Sequence, residues 1–203
     1  MSETNYSFDK DLREAKAMAD ALVPYVHEDN LYGTVGGGGW FGMGAKMPAL
    51  TIGALLMRLQ RLRALENELT AEQRGQLSQA ERKLESVQRE WTRHYEDKLV
   101  QEAKSRLKAI EQWFEENRDD PRSAANAWLP EAHRRTVVQA IANVLPSEEI
   151  DKAIRRVDSG LRRWVEPADF IWSPALQPAY PQTMYWWLYS RPATKGKKKD
   201  NDE

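Results

Sequence analysis

Three residue sets in this chain have types and spacing that could support chemistry. The first is the histidines, His27, His94 and His133. Three imidazoles in a helical bundle can hold one catalytic metal with a fourth position open to water. Glu90, His94 and Asp97 also fall at i, i+4 and i+7 along one side of an expected helix. Yet the chain has no HxxxH, HExxH or Glu-x-x-His pair, and a di-iron bundle needs two Glu-x-x-His motifs. The 90/94/97 line flanks an apolar stripe, as solvated side chains on an exposed helix side do. No metal ligand, catalytic residue or cofactor is therefore assigned from sequence.

The second set is a glycine-rich segment with one lysine. Gly39, Gly44, Ala45 and Lys46 approach a phosphate-binding loop but place an extra residue before the lysine. The Ser/Thr that would hold magnesium is missing, and no hydrophobic strand precedes the segment. Trp40, Phe41 and Met43 occupy positions where a phosphate cradle needs bare N–H groups. Nucleophile chemistry has even less support, with no GxSxG and no cysteine.

The third set is basic. Arg134 and Arg135, Arg155 and Arg156, and Arg162 and Arg163 are pairs on successive expected helices, near Trp128 and Trp164. Such a set can contact phosphates and stack on bases. Glu131, Glu148, Glu149 and Asp151 lie among them and weaken any phosphate-binding field. Over the whole chain 30 basic residues face 31 acidic ones, so no global footprint for nucleic acid exists.

The elements that must position these residues are helical. Phe8, Leu12, Ala15, Ala19, Leu22 and Val26 predict a helix over about 8–27, with Pro24 kinking or ending it. A second helix is expected from near Pro48 to Leu69. Its stripe is Ile52, Leu55, Leu56, Leu59, Leu62 and Leu65, with Arg58, Arg61 and Arg63 around it. Thr70 followed by Gln73 is a capping-box pattern.

A third, very long helix is expected over about 71–117. Its ladder runs from Leu77 through Trp91, Tyr95 and Leu99 to Phe114 in steps of three and four. That period is nearer an eleven-residue repeat than a heptad, so the helix should be nearly straight. Glu102 and Arg106 are read as an i,i+4 pair on its polar side. Two shorter helices follow, one from near Pro130 and one capped by Ser147. Residues 165–192 hold five of the ten prolines and many aromatics, which predicts an extended strap.

The expected fold is all-α: an elongated antiparallel bundle, one domain over 1–192, with the strap at 165–192 and a disordered charged tail at 193–203. The most distinctive segment is 31–47, running into helix two. Residues 31–57 contain eight of the eleven glycines and a single charge, Lys46. Ordering so much glycine is entropically costly, and its large apolar residues gain nothing in water. We expect a non-catalytic interaction or scaffold protein that docks to a protein partner or to itself. Trp40, Phe41 and Met43 are the anchors; Trp186 and Trp187 in the strap either complete the core against the chain's own helices or add to the docking surface. A nucleic-acid-associated protein using the arginine pairs is the alternative, and a metal-dependent hydrolase comes third. The absence of cysteine fits a cytoplasmic protein. The apolar run 47–57 is too short to span a bilayer, and the arginines that follow it lie too close to the leucine stripe for a clean membrane-surface face.

Overall fold

Among the described residues, short polar caps and long apolar stripes mark out seven α-helices. The computed structural model describes residues 4–35 and 47–193. Ser7 caps α1 (Phe8–Asp20), and α2 (Leu22–His27) follows after a break at Ala21. The chain expected as one helix is thus two, with Pro24 tolerated in the first turn of α2, where no donor is missed. Thr51 caps α3 (Ile52–Ala64), later than Pro48. Thr70 and Gln73 form the full capping box that starts α4 (Ala71–Glu90).

The very long helix is the main correction. The apolar ladder is present, but the helix breaks at Trp91, and α5 (Thr92–Asn117) begins afterwards. Trp91 has φ −127° and ψ 38°, outside the helical region. The Thr92 hydroxyl donates to the Gln88 carbonyl at 2.7 Å, a back-bond that bends helices. The break also separates two packing partners. α4 lies on α1, whereas α5 lies on α6 (Pro121–Ala142) and α7 (Glu148–Arg162). One straight stripe cannot face both. Trp91 is only half-buried as a result.

α6 starts at Pro121, capped by Asp120, and contains Pro130 in its interior, so Pro130 is not its start. Ser147 caps α7 as its sequence implies. The strap contains no α-helix. Val165–Pro167 (β1) pairs antiparallel with Ser190–Pro192 (β2), and two short 3₁₀ segments lie between them. Trp172, Leu176, Tyr180, Trp187 and Leu188 turn inward and complete the core. The centre of that core is Leu55 and Leu62 of α3, Leu77 of α4, Leu99 and Ile110 of α5, and Val137 and Ile141 of α6. Among the described residues, no helix is long and apolar enough to cross a membrane.

α1 and α3 meet through charge as well as leucine. Asp11 and Glu14 lie one turn apart on α1, and Arg58 and Arg61 lie one turn apart on α3. All four are buried. Arg61 Nε donates to Asp11 at 2.7 Å, and Arg58 Nη2 donates to Glu14 at 2.8 Å. Tyr6 donates to the same Asp11 carboxylate at 3.2 Å. Burial and this carboxylate push the Tyr6 phenol far above its ordinary value. Such a network adds little net stability when intact but is costly to break, because the remaining charge is left buried. Asp11→Ala is therefore expected to cost about 3–5 kcal/mol in urea unfolding. Lys83→Ala, which removes the exposed pair with Asp20, should cost under about 1 kcal/mol. Similar losses for the two variants would contradict this assignment.

Candidate functional site

The described residues on either side of the glycine-rich segment meet at one point. Gly33 and Leu50 form an isolated antiparallel bridge, with N–H···O distances of 2.9 and 2.8 Å. A side chain at position 33 would approach the Tyr25 ring to 2.7 Å, so this close crossing requires glycine. Tyr25 donates its hydroxyl to the Leu31 carbonyl at 2.6 Å. Its burial, with Glu102 nearby, pushes the phenol well above its usual value, so it remains a donor.

One face of α5 holds the neck of this loop. Lys98 is 6% exposed and donates at 2.6 Å to the carbonyls of Glu28 and Asn30. Its ammonium also lies 4.5 Å from the centre of the Tyr25 ring. Desolvation pushes its pKa below the ordinary lysine value. One turn on, Glu102 is 0% exposed. It accepts from the Gly53 N–H at 2.7 Å, in the first turn of α3, and from Arg106 at 2.8 Å. Arg106 reaches the Thr51 hydroxyl at 3.3 Å and lies 5.8 Å from the Tyr32 ring centre. Tyr32, 47% exposed, shares a 3.0 Å hydrogen bond with Ser105.

The i,i+4 spacing of Glu102 and Arg106 fits a pair on the polar side of a helix. They are instead a buried pair, because α5 turns that side toward the start of α3. Lys98 carried no sequence signal at all. The nearest available clue was the run 98, 102, 106 at four-residue spacing beside Leu99 and Ala103, which keeps these polar groups next to the stripe.

The remaining candidates are scattered. Trp40, Phe41 and Met43 lie outside the described residues. Trp187 is 1% exposed, donates to the Thr136 hydroxyl at 2.9 Å and stacks under the Arg135 guanidinium at 4.0 Å. It belongs to the interior. Trp186 is partly buried beneath Arg162 at 4.3 Å. Of the arginines, Arg135 is buried on Asp158, Arg134 pairs with Glu131, and Arg156 pairs with Glu111 at 2.7 Å. Arg163 donates to its own helix at Ser159 O, while Arg155 is exposed. The structure brings His27 and His94 together, with ring centres 5.2 Å apart, and leaves His133 elsewhere, beside Trp172. Among the described residues, no group of three or more potential ligands stands within reach of one metal ion.

Comparison with protein-family models, curated proteins and solved structures gives no match for this chain.

The neck makes a testable demand on Gly53, and Gly75 serves as its control. A Cβ at Gly53 would meet Ile141 at 2.7 Å and the Glu102 carboxyl carbon at 2.9 Å, whereas one at Gly75 in α4 meets open space. Gly53→Ala is expected to destabilise by about 1–3 kcal/mol through overpacking. Gly75→Ala should stabilise by about 0.5–1 kcal/mol by stiffening the unfolded chain. Urea titration checks both, and equal effects would refute the close approach at Gly53.

Proposed function

We propose that this chain is a non-catalytic protein-interaction module that presents residues 36–46 to an apolar groove on a partner protein or on a second copy of itself. The observation that carries the reading is the neck. The residues flanking the glycine-rich segment are pinned together by the Gly33–Leu50 bridge and by Lys98, Glu102 and Arg106 of α5. Holding the ends of a loop in place reduces the ordering entropy that docking must overcome. Trp40 and Phe41 are the natural anchors, since aromatic side chains dominate interface energetics. Tyr32, the neighbour of Gly33 in the bridge, is exposed and offers a further aromatic contact.

The other two readings gain less. Of the six arginines of the nucleic-acid alternative, Arg134, Arg135 and Arg156 are paired with carboxylates, which offsets their charge locally, and Arg162 lies over Trp186. The hydrolase alternative finds no third ligand beside His27 and His94 among the described residues.

The test is a Trp40→Ser, Phe41→Ser double variant, followed by circular dichroism, sedimentation and mass spectrometry of co-purifying proteins. The variant is expected to keep the wild-type spectrum and melting temperature and to lose its partner or its self-association. A folded variant with unchanged partners and sedimentation would sink the proposal. A variant that unfolds would also sink it, because the segment would then be core.

A further inference from the structure

We propose that His27 and His94 form a two-histidine site for a borderline first-row divalent cation, of the class Zn²⁺, Ni²⁺ or Cu²⁺. His27 ends α2 and His94 lies in the first turn of α5. Their rings are 5.2 Å apart, centre to centre, with planes inclined at 60°, and both residues are exposed. Coordination imposes a similar separation. A ring nitrogen about 2.0–2.1 Å from the ion places the ring centre about 3.2 Å from it. Two such rings at a tetrahedral angle have centres about 5.2 Å apart.

The backbone beneath the pair is fixed. The residue after His27 is Glu28, whose carbonyl is held by Lys98, and the residue after His94 is the buried Tyr95. Trp91 stands edge-on to His27 at 4.2 Å and lies 6.2 Å from His94, forming an aromatic wall at the helix break. An ion therefore needs side-chain rotation only and no movement of α2 against α5. Neutral imidazoles favour borderline ions over magnesium and calcium, which require oxygen ligands. Water completes the coordination, so binding is modest and reversible. The ion ties the last turn of α2 to α5 immediately beside the loop neck.

Calorimetric titration of the untagged chain with Zn²⁺ and Ni²⁺ tests the site. One ion per chain is expected, and Mg²⁺ should give no heat. His27→Ala and His94→Ala should each weaken binding by at least about tenfold, since either leaves a single protein ligand. His133→Ala should leave binding unchanged. Both replaced side chains are exposed, so unchanged melting temperatures are expected without metal. Cu²⁺ should quench part of the tryptophan fluorescence, and Trp91→Phe should remove that part. Absence of saturable binding would overturn the proposal. So would binding that survives either His27→Ala or His94→Ala, or that is lost in His133→Ala.

Discussion

A carboxylate with no access to water sits at the start of α3, and the placement of three helices depends on it. Glu102 reaches from α5 to the Gly53 N–H, in the turn where a helix leaves its donors unpaired and carries its positive pole. Arg106 neutralises the same carboxylate and continues to the Thr51 cap. A buried charge is costly to desolvate unless it is paired and hydrogen-bonded, and here both conditions are met by two partners at once. Ile141 of α6 packs so closely over Gly53 that no side chain fits there. α3, α5 and α6 thus converge on one peptide group, shortly after the glycine-rich segment.

The same device recurs around the molecule. Asp11 and Glu14 meet Arg58 and Arg61 between α1 and α3, and Asp158 meets Arg135 between α7 and α6. Buried ion pairs contribute little net stability relative to apolar packing, but breaking one is costly. Each pair here joins two helices at fixed positions, so its partners match in one register only. The neck of the loop is the most complete case, with Lys98, Glu102, Ser105 and Arg106 all on one side of α5. A polar, fully bonded frame therefore holds the ends of the glycine-rich segment.

Features set by a few neighbouring residues were legible in the sequence. Thr70 with Gln73 and Ser147 with its acidic first turn act through contacts three residues long, and both caps are present. The all-α class and the apolar ladders were legible because helical period survives any arrangement of the helices. The break at Trp91 was not. The ladder passes through it without a missing step, and the cause is a change of packing partner together with a Thr92 back-bond. Glu102 and Arg106 were misplaced for a related reason, since an i,i+4 pair has the same spacing whether solvated or buried. Pro130 resembled a helix start, but Asp120 and Pro121 supply the real one. The meeting of His27 with His94 has no local signature, because it depends on how α2 packs against α5.

Amide hydrogen exchange at Gly33, Leu50 and Gly53 tests most directly whether the loop is held by a rigid neck. These three N–H groups donate to Leu50 O, Gly33 O and Glu102 Oε2. An opening free energy for all three close to that of global unfolding is the result predicted here, with Gly53 exchanging as slowly as the interior of α3. Exchange at the rate of unstructured chain, while the core of α3 and α5 stays protected, would show that the neck opens freely and that the segment is an ordinary flexible connection.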